Sequence, residues 1–491
     1  MVRLPVSGGV HPGSYTIVVR IRLVSIGCRL NSGEIDALAR DFSVVGHCVV
    51  PAGEDADLVV INTCAVTHTA GAASRRLIRK LRREHAQASL VVTGCYAQFS
   101  DHTARALGAD LVVGNQHKDM LPQILHESGL LTTPEPLPTQ DVALVEASVR
   151  TRAFLKVQDG CNNRCAFCVV TLARGRARSR AQHSIIAEIN RLVALGYREV
   201  VLCGVHLGAY GHDRGNATGL DKLVAAVLSE TDIPRIRLSS IEPWDLQPSF
   251  FRQWEDARLL PHLHLPLQSG CDSTLRRMGR RNTCANFRAL LEAARSAIPD
   301  LAVSTDIMVG FPGESSAEHK QSLEFVESMA FSRMHIFRYS RRAGTPAAEM
   351  RSQVPAKVAK QRSRRLHALD ARMQARFRHR FIGRKFDVLW ERAHVHKDGL
   401  CWSGLTPNYL RVITHADQEL NLRNTVTRTA LLSVVEDGLL GEVIMSLGAC
   451  SHAAPCESIM RISAAAPPPG VRLALRATNP RARLGRETRP R

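Results

Sequence analysis

Between Ile21 and Asn115, four short apolar runs, IRLVSIGC, DLVVINTC, SLVVTGC and DLVVGN, alternate with amphipathic stretches such as EIDALARDF and SRRLIRKLRREHAQ. A parallel neighbour cannot be reached by a tight turn, so this alternation predicts a parallel sheet with crossover helices. Three of the runs end in a cysteine: Cys28, Cys64 and Cys95. Strand C-termini in an open parallel sheet share one edge, where ligands bind. Three thiols distant in sequence are thereby expected in one place, as ligands for a metal centre. Taken singly, each is as well explained as a buried apolar thiol.

From about Thr151 the alternation resumes with longer spacing, through AFLKVQDG, EVVLCGV, RIRLSS, HLHLPLQSG, STDIMVGF and RMHIFRYS. Most of these runs precede a helical pattern. The fold class expected is therefore α/β, with a partial barrel whose working residues sit at the C-terminal strand ends. Directly after the first run comes DGCNNRCAFC, which spaces Cys161, Cys165 and Cys168 as C-x3-C-x2-C. Three thiolates so close can converge on one metal centre, and on a four-iron cube they leave one iron open. An open iron can chelate a small cofactor and pass it one electron. The alternatives are chance clustering or a zinc site, which normally takes a fourth ligand.

A basic helical stretch runs from Pro355 to Phe381, and Gly-punctuated short strands from Gly383 to about Ile444 predict a small β-barrel. Pro- and Thr-rich TTPEPLPTQ reads as a linker, and the Ala-, Pro- and Arg-rich end as a disordered tail. The expected organisation is 17–131, linker 132–146, 147–380, 381–446 and tail 447–491. Lys and Arg outnumber Asp and Glu by 65 to 45, a net charge of +20 that favours a polyanionic partner. A soluble basic protein from an Arg-rich proteome is the plainer explanation. The 13 cysteines are an odd number and cannot all pair. With no secretory pattern at the start and no apolar run of about eighteen residues, a reducing cytoplasmic location is expected.

DGCNNRCAFC, with the aromatic Phe167 before its last cysteine, resembles the signature of the radical S-adenosylmethionine superfamily. GCRLN (Gly27–Asn31), INTCAVT (Ile61–Thr67) and TGCYAQ (Thr93–Gln98) resemble the N-terminal domain of the methylthiotransferase family. RGRARSR, SSIEP, HLPLQSG, DIMVGFPGE and YSRRAGTPAAEM resemble that family's radical core. The stretch from Gly383, with SGLTPNYLRV inside it, is similar to a TRAM domain, an RNA-binding β-barrel. The resemblance spans about residues 20 to 446 with its motifs in order. The wording GCRLN and TCAVT is similar to the MtaB-type branch, whose members act on N6-threonylcarbamoyladenosine beside the tRNA anticodon. The isopentenyladenosine branch reads nearer GCQMN, and the ribosomal-protein branch differs again.

The resemblance implies two 4Fe-4S clusters. Cys161, Cys165 and Cys168 would hold the one that cleaves S-adenosylmethionine to a 5′-deoxyadenosyl radical. Cys28, Cys64 and Cys95 would hold an auxiliary cluster that carries sulfur, while a second S-adenosylmethionine supplies the methyl group. It further implies a tRNA substrate, a flavodoxin- or ferredoxin-like electron donor and no membrane, and leaves the oligomeric state open. The same chemistry on isopentenyladenosine tRNA or a ribosomal protein is a competing reading. A non-catalytic, RNA-binding iron–sulfur protein is another.

Candidate cofactor contacts lie at strand ends: Gly204 and Val205, Ser240 and Glu242, Gln268 and Ser269, with Phe167 beside the triad. Each polar one is equally explained as a loop residue bonded locally. Arg174, Arg176, Arg178 and Arg180 follow the triad at alternating positions and suit a phosphate backbone or a substrate carboxylate. A solvated face is the alternative. Arg384, Lys385 and Arg411 are candidate phosphate contacts in the barrel. Met308 is expected in the core. Cys48, Cys203, Cys271, Cys284, Cys401, Cys450 and Cys456 match no ligand pattern and are expected to be structural or incidental. After Cys168 the chain reads VVTLARGR, where the family commonly has a Pro and an aromatic before Arg-Gly-Arg.

Overall fold

Five parallel strands form the N-terminal sheet: β1 (Arg20–Ser25), β2 (Cys48–Val50), β3 (Leu58–Thr63), β4 (Ser89–Gly94) and β5 (Leu111–Val113), in the order β2-β1-β3-β4-β5. The computed structural model describes residues 18–131, 151–215, 219–396, 399–416 and 420–444. The expected linker and tail, with Cys450 and Cys456, lie outside them. Strand β2 was not foreseen, since three residues are too few to show a period. Helices α1 (Arg29–Val44) and α2 (His68–Glu84) follow β1 and β3. On α2, Gly71, Ser74, Ile78 and Leu81 are buried at helical spacing, and the arginines between them face out.

Helix α1 is covered on two sides, by its own sheet and by the first strand of the next unit, β6 (Arg152–Lys156). Gly33 makes this possible. A Cβ there would lie 2.4 Å from the backbone oxygen of Phe154, so only glycine lets the helix come this close.

After the short pair β7 (Gln158–Asp159) and β8 (Arg178–Ser179) come β9 (Glu199–Cys203), β10 (Ile236–Leu238), β11 (His262–His264), β12 (Ala302–Val309) and β13 (Arg333–Arg338). Strands β6, β9 and β10 pair in parallel, as do β11, β12 and β13. Single parallel bridges, Ile236 to Leu259 and Ser240 to His264, join the two triplets into one arc. This is the expected partial barrel, except that a 3-10 helix, Pro248–Glu255, replaces the α-helix after β10. Helices outside the arc enclose a core of Val200, Leu202, Leu238, Leu263, Val303 and Ile307 with their own apolar faces.

Strands β14 (Lys385–His396), β15 (Gly399–Leu405), β16 (Arg411–Ala416), β17 (Val426–Val435) and β18 (Gly438–Val443) close a barrel in the order β14-β15-β16-β18-β17. It fills with Val388, Trp390, Trp402, Val412, Leu431 and Leu439.

One buried charge cluster joins this barrel to the arc. Glu199, wholly buried, accepts from Arg237 Nε at 2.7 Å and Arg235 Nε at 2.9 Å. Arg237 then donates to the backbone oxygens of Thr406 (2.9 Å) and Pro407 (2.7 Å) of the barrel. Burial alone would raise the Glu199 carboxyl, but Arg237, Arg235 and Arg152 hold it down at about 2. Burial costs Arg237 more than Glu199 returns, and its guanidinium falls to about 10, still charged at neutral pH. A depressed carboxylate stabilises the fold fully above the ordinary carboxylate range and loses that contribution as pH falls toward 2. Glu199→Gln strands two buried guanidinium groups, and a loss of about 3 kcal/mol in urea unfolding at neutral pH is expected. The variant's stability should also depend less on pH below the ordinary carboxylate range.

Candidate active site

Register places the first group of thiols. Ser25 pairs with Asn62, and Thr63 with Gly94, so Cys64 and Cys95 leave adjacent strands side by side. Cys28 caps the start of α1 three residues beyond β1. Gly27 has φ of +120°, and a Cβ there would sit 2.7 Å from Cys64 Cβ, so this turn accepts only glycine. Asn31 braces the loop, donating to the backbone oxygens of Ile26 (2.9 Å) and Thr63 (3.1 Å) while Cys28 Sγ lies 3.7 Å from its Oδ1. Asn115 Nδ2 approaches Cys95 Sγ at 3.6 Å. Burial pushes the Cys64 thiol up to about 11, and Cys95 and Cys28 add to the rise.

The second group sits on the loop after β7. The backbone N–H of Asn163 points at Cys161 Sγ and that of Val170 at Cys168 Sγ, both at 3.4 Å, and Arg280 Nη1 lies 3.9 Å from Cys165 Sγ. His206 Nδ1 stands 3.8 Å from Cys161 Sγ, with its Nε2 2.6 Å from Asp245. Burial first, then the neighbouring Cys165 and Cys161, push Cys168 up to about 12. Burial raises Cys165 as well, against Arg280. Donors aimed at all three sulfurs suit thiolate charge, yet burial keeps Cys165 and Cys168 protonated unless a cationic centre displaces the protons. The donor set fits an iron–sulfur cluster. Among the described residues no His, Cys, Asp or Glu trio converges on a single ion. Thiolates on a cube grip separate irons and need not converge on one point.

Helix Val170–Arg174 connects the two groups. Asn115 Nδ2 donates to Ala173 O at 2.9 Å while it approaches Cys95. Arg174 donates to Glu34 (2.9 Å), Asp159 (3.0 Å) and Asn31 (2.8 Å), and Lys118 meets the other Glu34 oxygen at 2.8 Å. Burial would raise the Glu34 carboxyl, but Lys118, Arg174 and Lys156 hold it well below the usual range.

This corrects the expectation for Arg174. It is 2 % exposed and fully paired, so it faces no phosphate. Arg176 and Arg178 are exposed, with Arg178 3.9 Å from Asp159. Lys385 and Arg411 are exposed on the barrel, whereas Arg384 is paired with Asp300 at 2.5 and 2.7 Å. Among the cofactor candidates, Glu242 is gripped by Arg280 at 2.6 and 2.9 Å. Gln268 adopts φ of 69° and bonds to Asp306 and Met308 through its backbone. It is Ser239, not Ser240, whose hydroxyl accepts from the Gly204 N–H (3.3 Å). Val205 packs with Leu30, and Phe167 with Met308 and Phe311. Arg280, His206, Asp245, Asn31, Glu34 and Asn115 escaped the sequence reading. Asn31 alone had a visible signal, as the last residue of GCRLN.

The Radical SAM superfamily model matches residues 155–326, and the model described as Uncharacterized protein family UPF0004 matches 20–114. The threonylcarbamoyladenosine tRNA methylthiotransferase MtaB of Thermotoga maritima is 36% identical over 76% of this chain and 86% of its own length. The chain belongs to the tRNA methylthiotransferase family. The MtaB of Bacillus subtilis is 34% identical (81% and 90% covered). A tRNA-2-methylthio-N(6)-dimethylallyladenosine synthase of Novosphingobium aromaticivorans is 36% identical (83% and 93% covered). Among solved structures, the radical S-adenosylmethionine methyltransferase TsrM of Kitasatospora setae superposes with a TM-score of 0.50 at 14% identity, covering 68% of this chain and 77% of that one, a likeness of fold alone. As a tRNA methylthiotransferase the chain is a radical enzyme acting on tRNA, with iron–sulfur clusters and S-adenosylmethionine as its cofactors. No helix among the described residues is long and apolar enough to cross a membrane.

Arg174→Lys keeps a charge but loses the fork that reaches three partners. The methylthiotransferase variant should lose about 2 kcal/mol in chemical unfolding. The salt dependence of its tRNA binding, followed by filter binding, should match the parent.

Proposed function

We propose that this methylthiotransferase converts N6-threonylcarbamoyladenosine beside the anticodon to its 2-methylthio derivative. Cys161, Cys165 and Cys168 hold one 4Fe-4S cluster, and Cys28, Cys64 and Cys95 the other. The observation that supports the two-centre reading is helix Val170–Arg174, which starts beside the first set of thiols and docks by Ala173 and Arg174 on the second. When bound, one cluster supplies an electron to S-adenosylmethionine and the other carries the sulfur to be transferred.

The chain's own residues arrange the reactants. Asn163, Val170 and Arg280 direct donors at the first thiols, and Asn31 and Asn115 brace the second set. Excluding water matters because the adenine C–H is unactivated and a carbon radical is quenched quickly. Gly204, Glu242 and Gln268 remain the proposed cofactor contacts, with Glu242 oriented by Arg280.

The wording of GCRLN and TCAVT favours the threonylcarbamoyl substrate, as does exposed Arg176, a suitable partner for its carboxylate. Exposed Val66, Leu172 and Phe337 favour the second reading, an isopentenyl group. The tRNA backbone is proposed to lie on Arg176, Arg178, Lys385 and Arg411. It would continue along α2, whose exposed Arg76, Arg79, Lys80 and Arg83 run outward from the loop that carries Cys64. The electron donor is proposed to be flavodoxin- or ferredoxin-like.

With S-adenosylmethionine and a reductant under anaerobic conditions, Cys161→Ala should release no 5′-deoxyadenosine, whereas Cys64→Ala should release it and form no methylthio product. Identical behaviour of the two variants would contradict the division of labour. Mass spectrometry of tRNA nucleosides from a deletion strain decides the substrate. Loss of methylthio-threonylcarbamoyladenosine supports the first reading, and loss of the isopentenyl derivative the second.

A further inference from the structure

The three thiols of the N-terminal sheet are not equally secured. Cys64 and Cys95 are buried and directly continue paired strands, at 6% and 4% exposure. Cys28 is exposed, lies beyond the end of β1, and has its sulfur 3.7 Å from Asn31 Oδ1. Its position is set by where α1 begins, and α1 begins with Arg29.

Arg29 is held from the far end of the chain. Its Nη2 donates to the hydroxyl of Tyr409 at 2.8 Å, and Arg152 Nη1 donates to the same oxygen at 3.0 Å. Tyr409 sits in the turn between β15 and β16 at φ of 67°, a left-handed conformation that a bulky side chain rarely adopts without support. Thr406 and Asn408, both buried, supply part of that support through a bond at 2.7 Å, and the backbone of Tyr409 donates to Thr406 O at 3.1 Å. Packing supplies the rest: the Arg237 guanidinium lies 4.5 Å from the ring centroid on one contact, and the His262 ring 4.5 Å on another. The phenol oxygen is thus a fixed point at which the N-terminal sheet, the arc of strands and the closed barrel meet.

We propose that Tyr409 is a positioning residue for the auxiliary centre, fixing Cys28 through Arg29, so that the C-terminal barrel is a structural part of the sulfur-insertion site. The proposal rests on the reading that Cys28, Cys64 and Cys95 hold a cluster. It adds a role to the barrel that RNA binding does not require, because Thr406 and Asn408 of this turn are buried and the Tyr409 hydroxyl is engaged by Arg29 and Arg152.

The test uses the full chain, reconstituted anaerobically, in a Cys161→Ala/Cys165→Ala/Cys168→Ala background, where only the other thiols can hold a cluster. Tyr409→Phe keeps the ring and deletes the oxygen. It should alter the electron paramagnetic resonance spectrum of the reduced cluster. Arg29→Met should alter it in the same way, and the double variant should add nothing further. Arg152→Lys, which disturbs the other donor, should leave the spectrum as in the parent. With the cysteines restored, Tyr409→Phe should still release 5′-deoxyadenosine at the parent rate, while methylthiolated tRNA falls about tenfold or more. A parent spectrum in Tyr409→Phe, additive effects with Arg29→Met, or an equal change in Arg152→Lys overturns the proposal and leaves the cluster assignment standing. Should the triple-alanine background take up no iron, the assignment itself falls, and the positioning role with it.

Discussion

Glu34 is buried on α1 with three cations around it, Arg174, Lys118 and Lys156, and the junction between the two thiol groups is arranged about that carboxylate. A buried carboxylate is tolerable only when paired and hydrogen-bonded, and Glu34 also accepts from Asn62. Its partners come from four separate stretches of the chain. Arg174 brings the end of the first thiol loop, Asn62 lies on β3, Lys118 opens the turn after β5, and Lys156 ends β6. Removing Glu34 itself would leave Arg174 and Lys118 buried without their shared carboxylate. The network therefore makes the spacing between the two thiol groups a property of the folded chain rather than of any ligand.

The closed barrel is bound into this arrangement more tightly than an RNA-binding appendage would need to be. Arg235 and Arg237 leave the arc to bond the barrel's backbone, and Glu391 of β14 accepts from Arg152 at 2.7 Å. Truncation before Gly383 would uncover buried guanidinium groups as well as remove surface cations. Loss of RNA affinity in such a truncation is therefore no clean measure of what the barrel's surface contributes.

The strand-then-cysteine pattern and the C-x3-C-x2-C run were legible because both are local: a period of apolar residues followed by a thiol at the strand's end. Parallel register then does the rest, bringing Cys64 beside Cys95. Arg174 was misread for the opposite reason. Its neighbours Arg176 and Arg178 look alike in sequence, and only the docking of α1 more than a hundred residues away turns one of them inward. Arg280 and His206 were invisible, since neither lies near the C-x3-C-x2-C run in sequence and each reaches one of its thiols only through the fold. The 3-10 segment after β10 was hidden within a generally helical pattern, and β2 was too short to carry any pattern.

The absence of a side chain at Gly33 bears on which parts of the site can separate. With α1 lying against the Phe154 backbone, helix and strand are in contact without any cushioning atoms between them, so this side of the molecule cannot be prised apart without breaking main-chain packing. The seam along α1 thus holds the N-terminal sheet and the arc as one block, so the two thiol groups keep one relative placement.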